Sequence, residues 1–268
     1  MIRDCKLWNL YLAPDSDSID VMAYCPLDEH PLLVDKINID TSSTSRVMAI
    51  EEAIYDNPLL LNEFKRVTIV SRTDLYAIIP TPISADPDLT NSILTEMTGV
   101  SSSTLITDSL PLLDSSLCHL MDSDLYNFFN RTFSNNVRFT HRLSALTRYY
   151  HGCHRSTGSL ISHVNLRRSS FDIVLYNGDR LLLANTYRWE NPVDALYYII
   201  ATRQVHGIDN NAAVILSGER DVREELTPLL KQHIPTVMPA IFPAAMFRAG
   251  GQVAMNAPTD LIVLPLCE

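Results

Sequence analysis

Glycine is scarce in this chain, with eight among 268 residues and none before Gly99. A loop that cradles phosphate with backbone N–H groups needs glycine, because a Cβ would hold the anion off. The first third of the chain has no means to build one. Cysteines number five, Cys5, Cys25, Cys118, Cys153 and Cys267, a scattered set without a Cys-x-x-Cys pair. This argues against a disulfide-stapled scaffold and fits free thiols in a reducing, cytoplasmic setting. No apolar run approaches the roughly 18 residues of a membrane helix, and Met1 to Lys6 opens no signal-peptide core. The expectation is a cytoplasmic protein with no membrane contact. Positive charge is short too, at 21 Lys and Arg against 31 Asp and Glu, a net of −10. Such a field repels nucleic acid.

One stretch lacks the opposite sign. From Leu125 to Phe171 there is no Asp or Glu, while Arg131, Arg138, Arg142, Arg148, Arg155, Arg167 and Arg168 fall there. The acidity lies earlier. Residues 1–150 hold 11 basic and 20 acidic side chains, net −9, whereas residues 151–268 hold 10 and 11, net −1. At 46% hydrophobic and 19% charged residues, the chain has a globular composition. It is long enough to bury a core in one large domain or two modest ones.

Residues 7–12, 19–24 and 32–35 read as strands, the first two joined at Pro14-Asp15-Ser16-Asp17. Ser45 can cap a helix with Val47, Ile50 and Ile54 at helical spacing. Residues 67–70 and 75–79 read as short strands, and 86–98 as a helix ended by Gly99. The middle reads as helical with one strand. Asp122 caps a helix through Phe133, Val137 and Phe139 alternate as a strand, and 141–150 is helical before a connector at 152–158. Next come a strand at 160–166 and a hairpin, 171–176 with 180–187, across Asn177-Gly178, a pair that favours a type I′ turn. Asn191, Pro192 and Asp194 open a helix that Gly207 ends. A buried strand at 213–216 and a helix at 219–233 follow.

Both halves thus run strand, strand, strand, helix, strand, helix. Val67-Thr68-Ile69-Val70-Ser71 in the first matches Ala213-Val214-Ile215-Leu216-Ser217 in the second. The repeated order predicts an α/β protein with mixed sheets. It would consist of two tandem ribonuclease H-like lobes, at 1–155 and 156–268, as in actin-like ATPases.

Two further segments carry a family likeness. Leu183-Ala184-Asn185-Thr186-Tyr187, followed by Asp194-Ala195-Leu196-Tyr197-Tyr198, and the stretch ending in Phe139-Thr140-His141 resemble a Bacteroides-type bacterial family, a domain of unknown function. The likeness spans nearly the whole chain and implies an actin-like ATPase fold. Active proteins of that fold grip phosphate with a hairpin in each lobe, whose first strand ends apolar-Asp-apolar-Gly. Here the matching stretches are Leu10-Tyr11-Leu12-Ala13 and Val164-Asn165-Leu166-Arg167, so both lobes lack the Asp and the Gly. Ser217-Gly218-Glu219 keeps one glycine where a pair is usual, and sets an acid beside it. The expectation is a degenerate fold with no catalytic residues, no metal and no cofactor, ATP being disfavoured.

Other motifs fail on spacing. Gly152-Cys153-His154-Arg155-Ser156-Thr157-Gly158-Ser159 has no Lys after its second Gly and no nucleophile elbow. His151, Cys153, His154 and His163 offer zinc-ligand chemistry without an anchoring pair. Asp15-x-Asp17 leads into Ile19 and Asp20, where a calcium loop needs a ligand and a glycine.

The function expected is that of a non-catalytic scaffold or adaptor working through contacts with a protein partner. Its Met-bearing stretch Pro235–Met255 is one candidate surface. One alternative is a nucleotide or phosphometabolite binder without hydrolysis, using Arg167 or Arg168 on phosphate. Another is RNA binding through the 125–171 window, with Arg142, Arg148 and Arg155 as contacts, against which stands the commoner arrangement in which these arginines pair with the acidic first lobe.

Overall fold

Strand periodicity and helix caps assemble into two units in a computed structural model, which describes residues 4–42, 45–100, 103–110, 113–133, 136–154 and 160–267, the His154 side chain apart. One unit comprises Met1–Ser144 with Pro243–Ala257, the other Ala145–Phe242 with Pro258–Glu268.

In the first unit, β1 (Asn9–Pro14), β2 (Ser18–Tyr24) and β3 (Leu32–Asn38) form an antiparallel meander, followed by α1 (Arg46–Tyr55) and β4 (Arg66–Ser71). Ser45 Oγ accepts from Met48 N at 3.3 Å, the cap its position predicts. Then come β5 (Tyr76–Pro80), α2 (Thr81–Ser84), α3 (Pro87–Thr98), β6 (Ser103–Leu110), β7 (Ser115–Asp122), α4 (Ser123–Phe133) and β8 (Val137–His141). The main sheet has the order β3-β2-β1-β4-β8, with β4 parallel to both neighbours. β1 and β2 are buried along nearly their whole length, so they read as continuous apolar runs rather than alternating ones. Trp8, Leu10, Leu12, Ile50, Ile69, Phe128 and Phe129 form part of this core.

A second, three-stranded sheet, β5-β7-β6, is inserted between β4 and β8. The expected helical middle with its one strand is present, as α4, β8 and the helix that follows, but β6 and β7 were not read from the sequence. β6 is mostly half-exposed, and its run Ser-Thr-Leu-Ile-Thr-Asp-Ser-Leu carries too little apolar alternation to stand out from a loop.

After α5 (Arg142–His154), the second unit repeats the plan with β9 (Leu160–Arg167), β10 (Ser170–Asn177), β11 (Arg180–Arg188), α6 (Pro192–Val205), β12 (Ala213–Gly218), α7 (Arg220–Lys231) and β13 (Val237–Pro239). Its sheet order, β11-β10-β9-β12-β13, repeats the first unit's strand by strand, with β12 parallel to both neighbours. The repeat of element order is therefore a repeat of topology. Asn191 and Asp194 form the expected capping box at the start of α6. The β10–β11 turn differs from expectation. Asn177 pairs with Arg180, so the turn residues are Gly178 and Asp179. Only Gly178 has a positive φ, 60°, the type II′ pattern rather than I′.

The C-terminal stretch divides between the units. α8 (Ala244–Ala254), kinked at Gly251, packs on β3 of the first unit. α9 (Thr259–Ile262) belongs to the second.

Candidate functional site: the hairpin ends

In each unit the hairpin that opens the sheet carries a buried aspartate on its second strand. In the second unit the register pairs Asn165 with Asp172. The Asp172 carboxylate is 1% exposed. Arg167 grips it as a fork, with Nη1 3.2 Å from Oδ2 and Nη2 3.4 Å from Oδ1. Thr186 Oγ1 donates to Oδ1 at 2.7 Å and Asn165 Nδ2 to Oδ2 at 3.3 Å. Ser217 Oγ donates to Asn165 Oδ1, and Tyr150 Oη stands 2.8 Å from Ser217 Oγ. Burial pushes the Tyr150 phenol above its ordinary range, so it acts as a neutral hydroxyl. The ring of His163 stacks on that of Tyr150, with centroids 4.0 Å apart.

The first unit builds the same arrangement from different residues. Ala13 pairs with Asp20, and Asp15 N donates to Ser18 O at 2.7 Å, so this hairpin superposes in register on the other. Ala13, rather than Tyr11, is the counterpart of Asn165. Arg72, just past β4, reaches Asp20 at 2.6 Å and Asp15 at 3.3 Å. Next to it, Arg142 donates to the Arg72 carbonyl and pairs with Asp74 at 3.0 Å. Asp108 accepts from Thr140 Oγ1 and from His141 N, each at 2.7 Å.

These contacts decide what the arginines can do. Arg142 is 1% exposed, so its guanidinium is committed within the first unit and offers no edge to an RNA. Arg148 is half-buried on α5. Arg155 lies outside the described residues. Arg167 is committed to Asp172, and Arg168, though exposed, lies 3.3 Å from Glu219 and 3.4 Å from Asp221. The structure therefore brings Arg167 and Arg168 to one hairpin end, with acids already against both. Of the four zinc candidates, His163 stacks on Tyr150, the His151 ring lies tilted 5.8 Å from that of Tyr176, Cys153 is exposed, and the His154 side chain lies outside the described residues. Among the described residues no group of three or more His, Cys, Asp or Glu could hold a metal ion.

The residues present do not suit a metal-bound triphosphate. Ser16-Asp17 and Arg168-Ser169 turn the hairpins without glycine, and an arginine pairs with the buried carboxylate at each hairpin end. Gly218 is retained for packing. Its φ is +93°, and a Cβ there would lie 2.0 Å from Leu166 O.

Sequence reasoning missed Asp20, Asp172 and Arg72. A signal was available: Ile19-Asp20-Val21 and Phe171-Asp172-Ile173 each set one acid inside an apolar strand, and a buried charge demands a partner.

A second buried group lies near the Asp108 cluster. His119 on β7 is fully buried, neither ring nitrogen has a hydrogen-bond partner in the protein, and its ring sits 5.2 Å from that of His141. Burial pulls its pKa down to about 4, and the Asp108 charge only partly opposes this. The unfolded chain, titrating near 6.5, then binds more protons between pH 6.5 and 4, so stability falls as pH drops through that window. His119→Leu is expected to remove about 3 kcal/mol of that loss between roughly pH 7.5 and 4. Urea unfolding at both pH values checks it, and parallel pH dependence in the two proteins would refute it.

The strand order repeated in each unit is the one expected of a ribonuclease H-like duplication. A family model described as "Protein of unknown function (DUF3822)" matches residues 6–237. The chain belongs to this family. This DUF3822 protein is similar in structure to a Bacteroides thetaiotaomicron protein with an actin-like ATPase fold and unknown function. The TM-score is 0.84 and the identity 20%, with all of both chains covered. It is also similar to a structure of the PilM–PilN type IV pilus biogenesis complex, at TM-score 0.67 and 10% identity over 97% of each chain. The first of these likenesses shows the actin-like ATPase fold that the sequence resemblance implied. No curated protein matches the sequence. Among the described residues of this DUF3822 protein, no helix is long and apolar enough to cross a membrane.

Proposed function

We propose that this DUF3822 protein is a non-catalytic scaffold or adaptor of the cytoplasm that works through contacts with a protein partner. One observation carries the reading: both hairpin ends, where the fold's ATPases present Asp and Gly to phosphate, are closed by arginine–aspartate pairs inside each unit. Phosphate would have to displace Asp172 from Arg167, or Glu219 and Asp221 from Arg168. The first exchange would leave a carboxylate buried without its countercharge. The occurrence of the fold in the PilM–PilN complex supports a role in assembly.

The test is a thermal-shift and calorimetric screen of ATP, ADP, GTP and inorganic pyrophosphate, each with and without magnesium. No shift is expected. Saturable stabilisation by any of them that is lost in Arg167→Ala or Arg168→Ala would overturn the proposal in favour of a nucleotide or phosphometabolite binder. Affinity capture from the native host should retain a stoichiometric protein, and its absence would count against the adaptor role.

A further inference from the structure

α6 departs from the rule for surface helices, and the departure has a pattern. A helix on the outside of a domain turns charged residues to water. α7, in the same unit, does so with Asp221, Glu224, Glu225 and Lys231 exposed. α1, which holds the corresponding place in the first unit's order, exposes Arg46 and Glu52 alongside Met48 and Tyr55. On α6 the exposed residues are instead mostly apolar, Val193 at 63%, Tyr197 at 66%, Val205 at 82% and Tyr198, with Gln204 the one exposed polar side chain and Ala201 half-buried between Tyr197 and Val205. Arg203, the helix's one cation, points inward and bonds Ser162 Oγ and the carbonyls of Asp209 and Ala212.

Val193, Tyr197, Ala201 and Val205 are spaced by four and form one ridge along the helix. Reversed, the ridge reads valine, alanine, tyrosine, valine, and so complements itself. Against an antiparallel copy, each Val193 meets a Val205 and each Tyr197 lies over an Ala201, large against small. The same arrangement aligns the helix dipoles favourably. It also carries the exposed Glu190 at one end of the helix toward the exposed His206 at the other end of the copy's. A chain of net charge −10 repels its own copies except where the contact is free of charge, and this ridge is. An interface of this kind is isologous, the same patch on both sides.

We propose that the outer ridge of α6 is the contact through which two copies of this chain associate as a twofold dimer. Sedimentation equilibrium of the full chain at micromolar concentrations reads the outcome. The expected mass is twice the 30.2 kDa of one chain. It should fall to one chain's mass in Tyr197→Glu and in Val205→Glu, with the far-UV circular dichroism of the folded chain retained because both side chains are exposed. Val193→Cys combined with Val205→Cys should form an intermolecular disulfide on mild oxidation that the native protein does not form. A native protein that stays monomeric at about 100 µM overturns the proposal, since that is well above the Kd range of stable complexes. So does a dimer indifferent to both glutamate variants. A monomer that binds another protein through Tyr197 also overturns it, by naming a different occupant.

Discussion

Gly218→Ala is expected to unfold the second unit more readily than any other methyl-sized change in it. The residue ends β12 at φ +93°, a conformation L side chains avoid, and the added Cβ would lie 2.0 Å from Leu166 O, 2.6 Å from Leu166 N and 2.8 Å from Leu166 C. All three are backbone atoms of β9, the strand paired with β12, so no rotamer change relieves the clash. The sheet must open or the turn into α7 must shift, and Glu219 N, which donates to Leu166 O at 2.9 Å, shifts with it. Strain and lost ladder contacts together are expected to cost about 3–5 kcal/mol. Gly207→Ala is the control. Its φ is +65°, but nothing lies within 4 Å of a Cβ there, so it should cost only about 1 kcal/mol. Trp189 lies in the second unit and Trp8 in the first. In a Trp8→Phe background, fluorescence-monitored urea unfolding reads the second unit alone. Equal midpoints for the two glycine variants would refute the packing argument.

Asp172→Ala should have a comparable effect by another route. It removes the anion that neutralises Arg167 and strands the hydroxyl of Thr186 and the amide of Asn165 in a buried setting. Breaking a buried pair from one side costs about 3–5 kcal/mol, and the lower end applies because the Arg167 side chain keeps 21% of its exposure. Asp172→Asn keeps the shape and an acceptor for Thr186, so about half the loss should return. The same Trp189 signal measures both. If the alanine variant unfolded at the native midpoint, Asp172 would not be a structural anion. The hairpin end would then be free to exchange it for a phosphate, against the function proposed above.

These two residues also mark the limit of reading the chain as text. The meander, the crossover helices and their caps were legible because each rests on local chemistry. Ser45, Asn191 and Asp194 bond backbone groups within four residues of themselves, and Val67–Val70 is apolar enough to be a buried strand wherever it lies. The duplication was legible because the order of such elements repeats. β6 and β7 were not, since β6 is half-exposed and serine-rich and β7, though buried, is a mixed run of Ser, Cys, His, Leu and Met that carries neither period strongly. α8 and β13 were not, because a Met, Pro and Ala composition fits several conformations.

The hairpin ends were legible only as absences. Missing glycines and missing Asp-x-Gly patterns argued against phosphate binding, and the fold agrees with the family and architecture the resemblance implied. What fills those places depends on pairing across the sheet. Asp20 and Arg72 are 52 residues apart, and the contact between them exists only once β1, β2 and β4 lie side by side. Arg142, offered by the sequence as an RNA contact within an acid-free window, is buried against Asp74 in the acidic first half, 68 residues away. Local composition determined which segments became strands and helices. Long-range burial decided which charges pair, because a guanidinium leaves water only where the fold carries a distant carboxylate to it.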